Sequence, residues 1–192
     1  MGGGTIIALV VCGVFLFLFI LLLAWFFGTY NVLVKLRNLA KNAWAQIDVQ
    51  LKRRHDLIPN LVETVKGYAK HESGTLEAVI KARNMAMNAG SVGEHAAAEG
   101  ELSGALSRLM VVVEQYPDLK ANQNFMQVQE ELTSTENKIS FSRQAYNDAV
   151  MVYNTKTEMV PANIVAGMGK FESMELFELK DEEQREAPEV KF

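Results

Sequence analysis

The run from Ile6 to Phe27 constrains this chain more than any other feature. It carries no charged residue, and its only small or weakly polar members are Ala8, Cys12, Gly13 and Ala24. A helix rises about 1.5 Å per residue, so the run spans roughly 33 Å, enough to cross a hydrocarbon core of about 30 Å. A cleaved signal peptide would need a basic n-region, a shorter apolar stretch and a small-x-small cleavage site. Here Met1-Gly2-Gly3-Gly4-Thr5 precedes the run without Lys or Arg, and Trp25-Phe26-Phe27 ends it. Val11 is too bulky for a lipoprotein site at Cys12, and Ile6 stands where N-myristoylation of Gly2 would need Ser or Thr. The run therefore reads as a retained transmembrane helix over 6–27, with a short tail at 1–5. Lys35, Arg37 and Lys41 follow it, whereas no base precedes it, so the positive-inside rule puts the N-terminus outside and the rest in the cytoplasm. Trp25 and Tyr30 are the expected interface-anchoring aromatics.

Residues 28–179 read as one helical-bundle domain. No stretch alternates with period two, whereas apolar residues recur at three-four spacing in three long stretches. The first runs from about Tyr30 to Ala89 through Leu33, Leu36, Ala40, Ile47, Leu51, Ile58, Val62, Val65 and Ala69, then Leu76, Val79 and Ile80. Pro59 removes a backbone donor and frees the carbonyl of His55. Its neighbours Leu57-Ile58 and Leu61-Val62 are not turn residues, so a kinked helix is expected there, and Ser73-Gly74 is a weak point. A second helix is expected from about Glu94 to Gln115. A third runs from about Gln123 to Lys156, striped by Phe125, Val128, Leu132, Ile139, Tyr146 and Tyr153. From Pro161 on, Ile164, Val165, Met168, Phe171, Met174 and Phe177 are apolar enough to fold back on the bundle. Residues 180–192 are expected to be an acidic, disordered tail. The fold class is all-α: a transmembrane helix followed by a long-helix antiparallel bundle. With only Gly28 as a small residue after the span and no proline before Pro59, the membrane helix is expected to continue into the bundle.

Chemistry is sparse. Cys12 is the single cysteine and lies in the span, so the domain has no disulfide, thiolate metal site or cysteine nucleophile. His55-Asp56 and His71-Glu72 are separated by roughly 24 Å of helix, too far for one ligand sphere, and neither forms a His-Glu-x-x-His pattern. They read, with His95, as solvated or capping histidines; a hydrolase using His55 or His71 is the remote alternative. No catalytic, cofactor or metal residues are assigned. The net charge of −4 disfavours nucleic acid.

The densest segment is Ile47 to Val62, with Asp48, Lys52, Arg53, Arg54 and Asp56. Three consecutive bases sweep more than half the helix circumference, so at least one is expected to face a neighbouring helix. Its partners would be Glu130, Glu131, Glu136 or the freed His55 carbonyl. Two readings stand: a structural ion-pair layer, or a docking patch for lipid headgroups or an acidic partner. Tyr146-Asn147 and Tyr153-Asn154 repeat at seven residues, placing both rings on one face with hydroxyls toward a rim.

At these residues the chain resembles the LemA family. The matching runs are Tyr30-Asn31, Leu33-Val34 and Leu36-Arg37-Asn38, then Asn42 through Val62, Val65-Lys66-Gly67-Tyr68-Ala69 with His71-Glu72, Ala82-Arg83, and the two Tyr-Asn pairs. The resemblance implies a bacterial single-pass inner-membrane protein with a helical-bundle domain and no enzymatic activity to carry over. It also implies proximity to a membrane metalloprotease of the HtpX type, by gene association alone. The expected function is a non-enzymatic membrane scaffold that forms homo-oligomers on the bilayer and organises the inner membrane or envelope complexes. The alternative is an adaptor for a membrane protease or envelope-stress partner, docking around Lys52–Arg54.

Overall fold

The structure, a computed structural model, describes residues 2–69 and 71–178. Six helices follow in order, with no strand among the described residues: α1 (Gly3–Lys66), α2 (Ser73–Met87), α3 (Val92–Val113), α4 (Pro117–Lys120), α5 (Gln123–Glu158) and α6 (Ala162–Met168). The all-α fold expected from the periodicity is the fold observed. The acidic 180–192 segment lies outside the described residues.

α1 is a single helix of 64 residues. Its first part is long and apolar enough to cross a membrane, and its side chains from Ile6 to Leu22 are exposed. The helix passes Gly28 without a break and absorbs Pro59, as Leu57-Ile58 and Leu61-Val62 suggested. It ends earlier than the stripe implied. The chain turns after Lys66, where Tyr68 and Ala69 both donate to the Val65 carbonyl, and α2 starts at Ser73. Gly67 is the weakest helix former in the stretch. Periodicity missed the turn because Val65 and Leu76, on either side of it, are buried in the same core. Ser73-Gly74, taken as the weak point, opens α2 instead.

Two compact units are present. One comprises Asn42–Asp148 with the segment from Glu175. Its core joins Ile58, Leu61 and Val65 of α1, Leu76 and Val79 of α2, Leu102 and Leu109 of α3, Leu119 of α4, and Phe125 and Leu132 of α5. Fully burying each such side chain contributes about 1.5–3 kcal/mol. Arg54 pairs with Glu136 and Trp44 packs on Tyr146, so α1 and α5 run antiparallel in this unit. A capping box starts α3: Ser91 Oγ accepts from the Glu94 N–H, and the Glu94 carboxylate accepts from the Ser91 N–H.

The other unit comprises the residues up to Lys41 with Ala149–Met174. Leu33, Tyr153, Val165, Ala166 and Phe171 form its core, with Phe26, Val34, Leu36 and Met174 packed against it. α6 ends in a Schellman turn. Phe171 N–H donates to Ala166 O, Lys170 N–H donates to Gly167 O, and Lys170 takes the left-handed conformation at φ 51°. This turn returns Phe171 onto the helix it came from. A Cβ on Gly169 would lie 2.5 Å from the Phe171 ring, so only glycine permits the return.

Candidate functional site

The basic segment of α1 divides by face. Asp48, Lys52, Arg53 and Asp56 are exposed, and Arg54 and His55 are buried. Arg54 Nη1 donates to Glu99 Oε2 at 3.0 Å, and its Nη2 donates to Ser103 Oγ at 2.8 Å and lies 3.1 Å from Glu136 Oε2. His55 Nε2 is hydrogen-bonded to the other oxygen of Glu99. A single buried carboxylate thus bridges an arginine and a histidine from consecutive positions of α1. Removing charges from water is costly unless they meet a partner with its hydrogen bonds satisfied, and here each does.

Sequence reasoning anticipated that one of the three bases turns inward and named Glu136, but it missed Glu99. It also misread His55, which is buried and bound rather than solvated. The signal was present: Glu99 lies on the apolar stripe of α3 between Ala96 and Leu102, where a carboxylate must face the core. Glu131 lies 3.8 Å from Arg53 in an exposed pair. The His55 carbonyl freed by Pro59 accepts from Nε of Arg83 at 2.7 Å, so a base of α2 satisfies it. No group of three or more His, Cys, Asp or Glu with metal-binding geometry occurs among the described residues.

The two Tyr-Asn pairs hold an extended segment, residues 171–178, which forms no backbone ladder. In the unit built on Trp44, Tyr146 Oη donates to Glu175 O at 2.8 Å. Asn147 donates to Phe177 O at 3.1 Å and accepts from Phe177 N–H at 2.8 Å. In the unit built on Leu33, Tyr153 Oη donates to Glu172 O, and Asn154 donates to Met174 O and accepts from Met174 N–H, all at 2.9 Å. Each asparagine amide substitutes for the missing strand partner of one residue. The spacings agree: seven helical residues rise about 10.5 Å, and three extended residues span about 10 Å. Burial pushes the Tyr146 hydroxyl above the usual phenol range, with the Glu175 carboxylate adding to it. Burial raises Tyr153 too, against the opposing pull of Arg37.

The two aromatics expected at the interface differ in their surroundings. Trp25 is exposed on the span, whereas the Tyr30 ring packs edge-on against Phe171 at 5.3 Å, and the Arg37 guanidinium sits over the Phe171 ring at 4.9 Å from its centroid. Trp44 lies among His95, Tyr146 and Phe177, with ring centroids 5.4–5.9 Å away.

These geometries account for the residues that carry the resemblance, and sequence comparison agrees with it. Magnetosome protein MamQ 2 of Paramagnetospirillum magneticum is 27% identical over 177 residues, covering 79% of this chain and 65% of that protein. Protein LemA of Metamycoplasma hominis is 28% identical over 158 residues, covering 79% of this chain and 72% of that protein. Magnetosome protein MamQ of Magnetospirillum gryphiswaldense is 24% identical over 177 residues, covering 79% of this chain and 65% of that protein. The chain therefore spans about 65% of the length of the MamQ relatives it matches. The model of the LemA family matches residues 43–192, most of the sequence, and the chain belongs to the LemA family.

Proposed function

We propose that this chain is a non-enzymatic scaffold, anchored in the bacterial inner membrane, that self-assembles and organises the membrane or envelope complexes on it. The supporting observation is α1 itself, in which the apolar span and the first helix of the bundle are one uninterrupted element. A span joined by a loop would only tether; a span continuous with a packed helix also fixes that helix's direction at the bilayer. The polar side chains buried in the bundle, Arg54, His55 and Glu99, are committed to one another and support a structural role for this layer. The charge bias around the span favours a short tail outside and the bundle in the cytoplasm. Crosslinking in native membranes, with a mixture of isotopically light and heavy copies, tests the reading. Mixed-isotope links between identical peptides are expected, and their absence at native expression levels would refute self-assembly.

A second reading is favoured by the exposure of Lys52 and Arg53 beside the buried Arg54. Here the protein is an adaptor, and the exposed bases dock an acidic surface of a membrane protease or envelope-stress partner. The same experiment then recovers one dominant hetero-partner. Lys52→Glu with Arg53→Glu loses that partner while the helical signal persists.

A further inference from the structure

The turn from α5 into α6 exposes an apolar surface beside the end of the span. Met159, Val160, Ile164 and Met168 are 52%, 78%, 60% and 70% exposed. The other face of α6 is buried through Ala162, Val165 and Ala166. Ile164 and Met168 lie four residues apart on α6 and share the face directed away from the core, and Val160 stands exposed in the turn that precedes the helix. Four large apolar side chains left open within ten residues of chain mark an interaction surface rather than scattered exposure.

The depth of this surface follows from contacts within the same unit. Tyr153 shares a core cluster with Leu33, Phe171 packs on Tyr30, one turn nearer the span, and Phe26 packs against the same cluster. Phe26 belongs to the last turn of the apolar run. Tyr30 lies about 4.5 Å beyond Phe27 along the helix, and the polar layer of a bilayer is about 5–7 Å thick on each side. A surface seated on Phe26 and Tyr30 is therefore at the height where hydrocarbon gives way to headgroups. Lys156 and Lys170 flank the turn in sequence and Lys35 follows the apolar run on α1, and long basic side chains near an interface reach outward to lipid phosphates.

We propose that the α5–α6 turn is a second membrane contact, with Met159, Val160, Ile164 and Met168 seated in the lipid interface beside the emerging span. The occupant is the bilayer surface because the core that carries α6 packs on Phe26, in the last turn of the apolar run, which sets this turn at the height of the membrane interface. The inference rests on the reading of that span as membrane-embedded. Seating the turn would fix the rotation of α1 about its own axis, which a single span leaves free.

The test uses the full chain with Cys12→Ala, in vesicles of mixed zwitterionic and anionic lipid. A spin label is placed through Val160→Cys or Ile164→Cys, with Leu16→Cys marking the hydrocarbon and Asp118→Cys, an exposed acidic position, marking water. Accessibility to oxygen, which concentrates in lipid, is compared with accessibility to a polar nickel chelate. The proposal expects labels at 160 and 164 to show an oxygen-to-nickel ratio several-fold above that at 118, approaching the one at 16. If 160 and 164 match 118 while 16 reads as hydrocarbon, the contact is refuted and the anchor stands. If 160 and 164 are shielded from both reagents, another protein surface or a second copy covers the turn, and the lipid contact is again refuted. If 16 is itself open to nickel, the membrane reading fails and takes the proposal with it. Retained helical signal in each labelled variant shows that the fold survives substitution.

Discussion

Glu99→Ala removes the carboxylate on which the buried polar layer depends. The Arg54, His55 and Glu99 side chains are 6%, 7% and 4% exposed, so neither base left behind can recover its hydration in place. Breaking a buried pair by deleting one partner costs about 3–5 kcal/mol, because a charge remains uncompensated. Arg54 keeps Glu136, whose side chain is 52% exposed and so a screened partner, which places the expected loss near the lower end, about 3 kcal/mol. That is a large fraction of a domain stability of about 5–15 kcal/mol. The exposed Arg53–Glu131 pair is the internal control: Glu131→Ala should cost less than about 1 kcal/mol. Replacing the whole layer, as Arg54→Met with His55→Leu and Glu99→Leu, should cost less than Glu99→Ala alone, since no buried charge is left unpaired and the half-exposed Glu136 returns to water. The assay is denaturant unfolding of the full chain in detergent, with Trp25→Phe so that fluorescence reports Trp44 in its aromatic setting. A Glu99→Ala loss no greater than that of Glu131→Ala would refute the reasoning.

Three further outcomes follow from the extended segment and its clasps. Asn147→Ala removes both hydrogen bonds to Phe177, at about 1 kcal/mol each, and should speed amide exchange across residues 175–177 by roughly 30-fold while the α3 core keeps its protection. Gly169→Ala forces a Cβ into the Phe171 ring and should cost about 1–3 kcal/mol in thermal unfolding, accompanied by loss of the near-ultraviolet circular dichroism of the packed Tyr30 and Phe171 rings. Tyr146 and Tyr153 hold their protons more tightly folded than unfolded. The stability they contribute is fully present below pH about 10 and is lost as pH rises through their higher folded values. Tyrosinate absorbance should show two late-titrating phenols, and protection of residues 172–177 should fall with them.

Much of this fold could be read from spacing. α3 and α5 lie within two or three residues of the expected bounds, and Pro59 sits inside a helix because its apolar neighbours left no turn to form. The turn between α1 and α2 escaped because a hydrophobic stripe reports which side of the chain is buried, and the same core lies on both sides of that turn. Glu99 escaped because long-range pairing is a property of the packed helices. Its position on the apolar face of α3, matched to Arg54 and His55 on the apolar face of α1, was the available clue. The Tyr-Asn repeat announced a rim partner without saying which. That it holds the backbone of residues 172–177 follows only from the agreement between a helical heptad and three extended residues.

A membrane scaffold of this form requires α1 to leave the bilayer as one uninterrupted helix. Amide exchange of the full chain in lipid nanodiscs, resolved from Phe26 to Leu36, measures this directly. Continuous protection across Gly28, Thr29 and Tyr30 is the predicted result. A fast-exchanging stretch at those residues, between a protected span and a protected bundle, would contradict it and reduce the span to a tether.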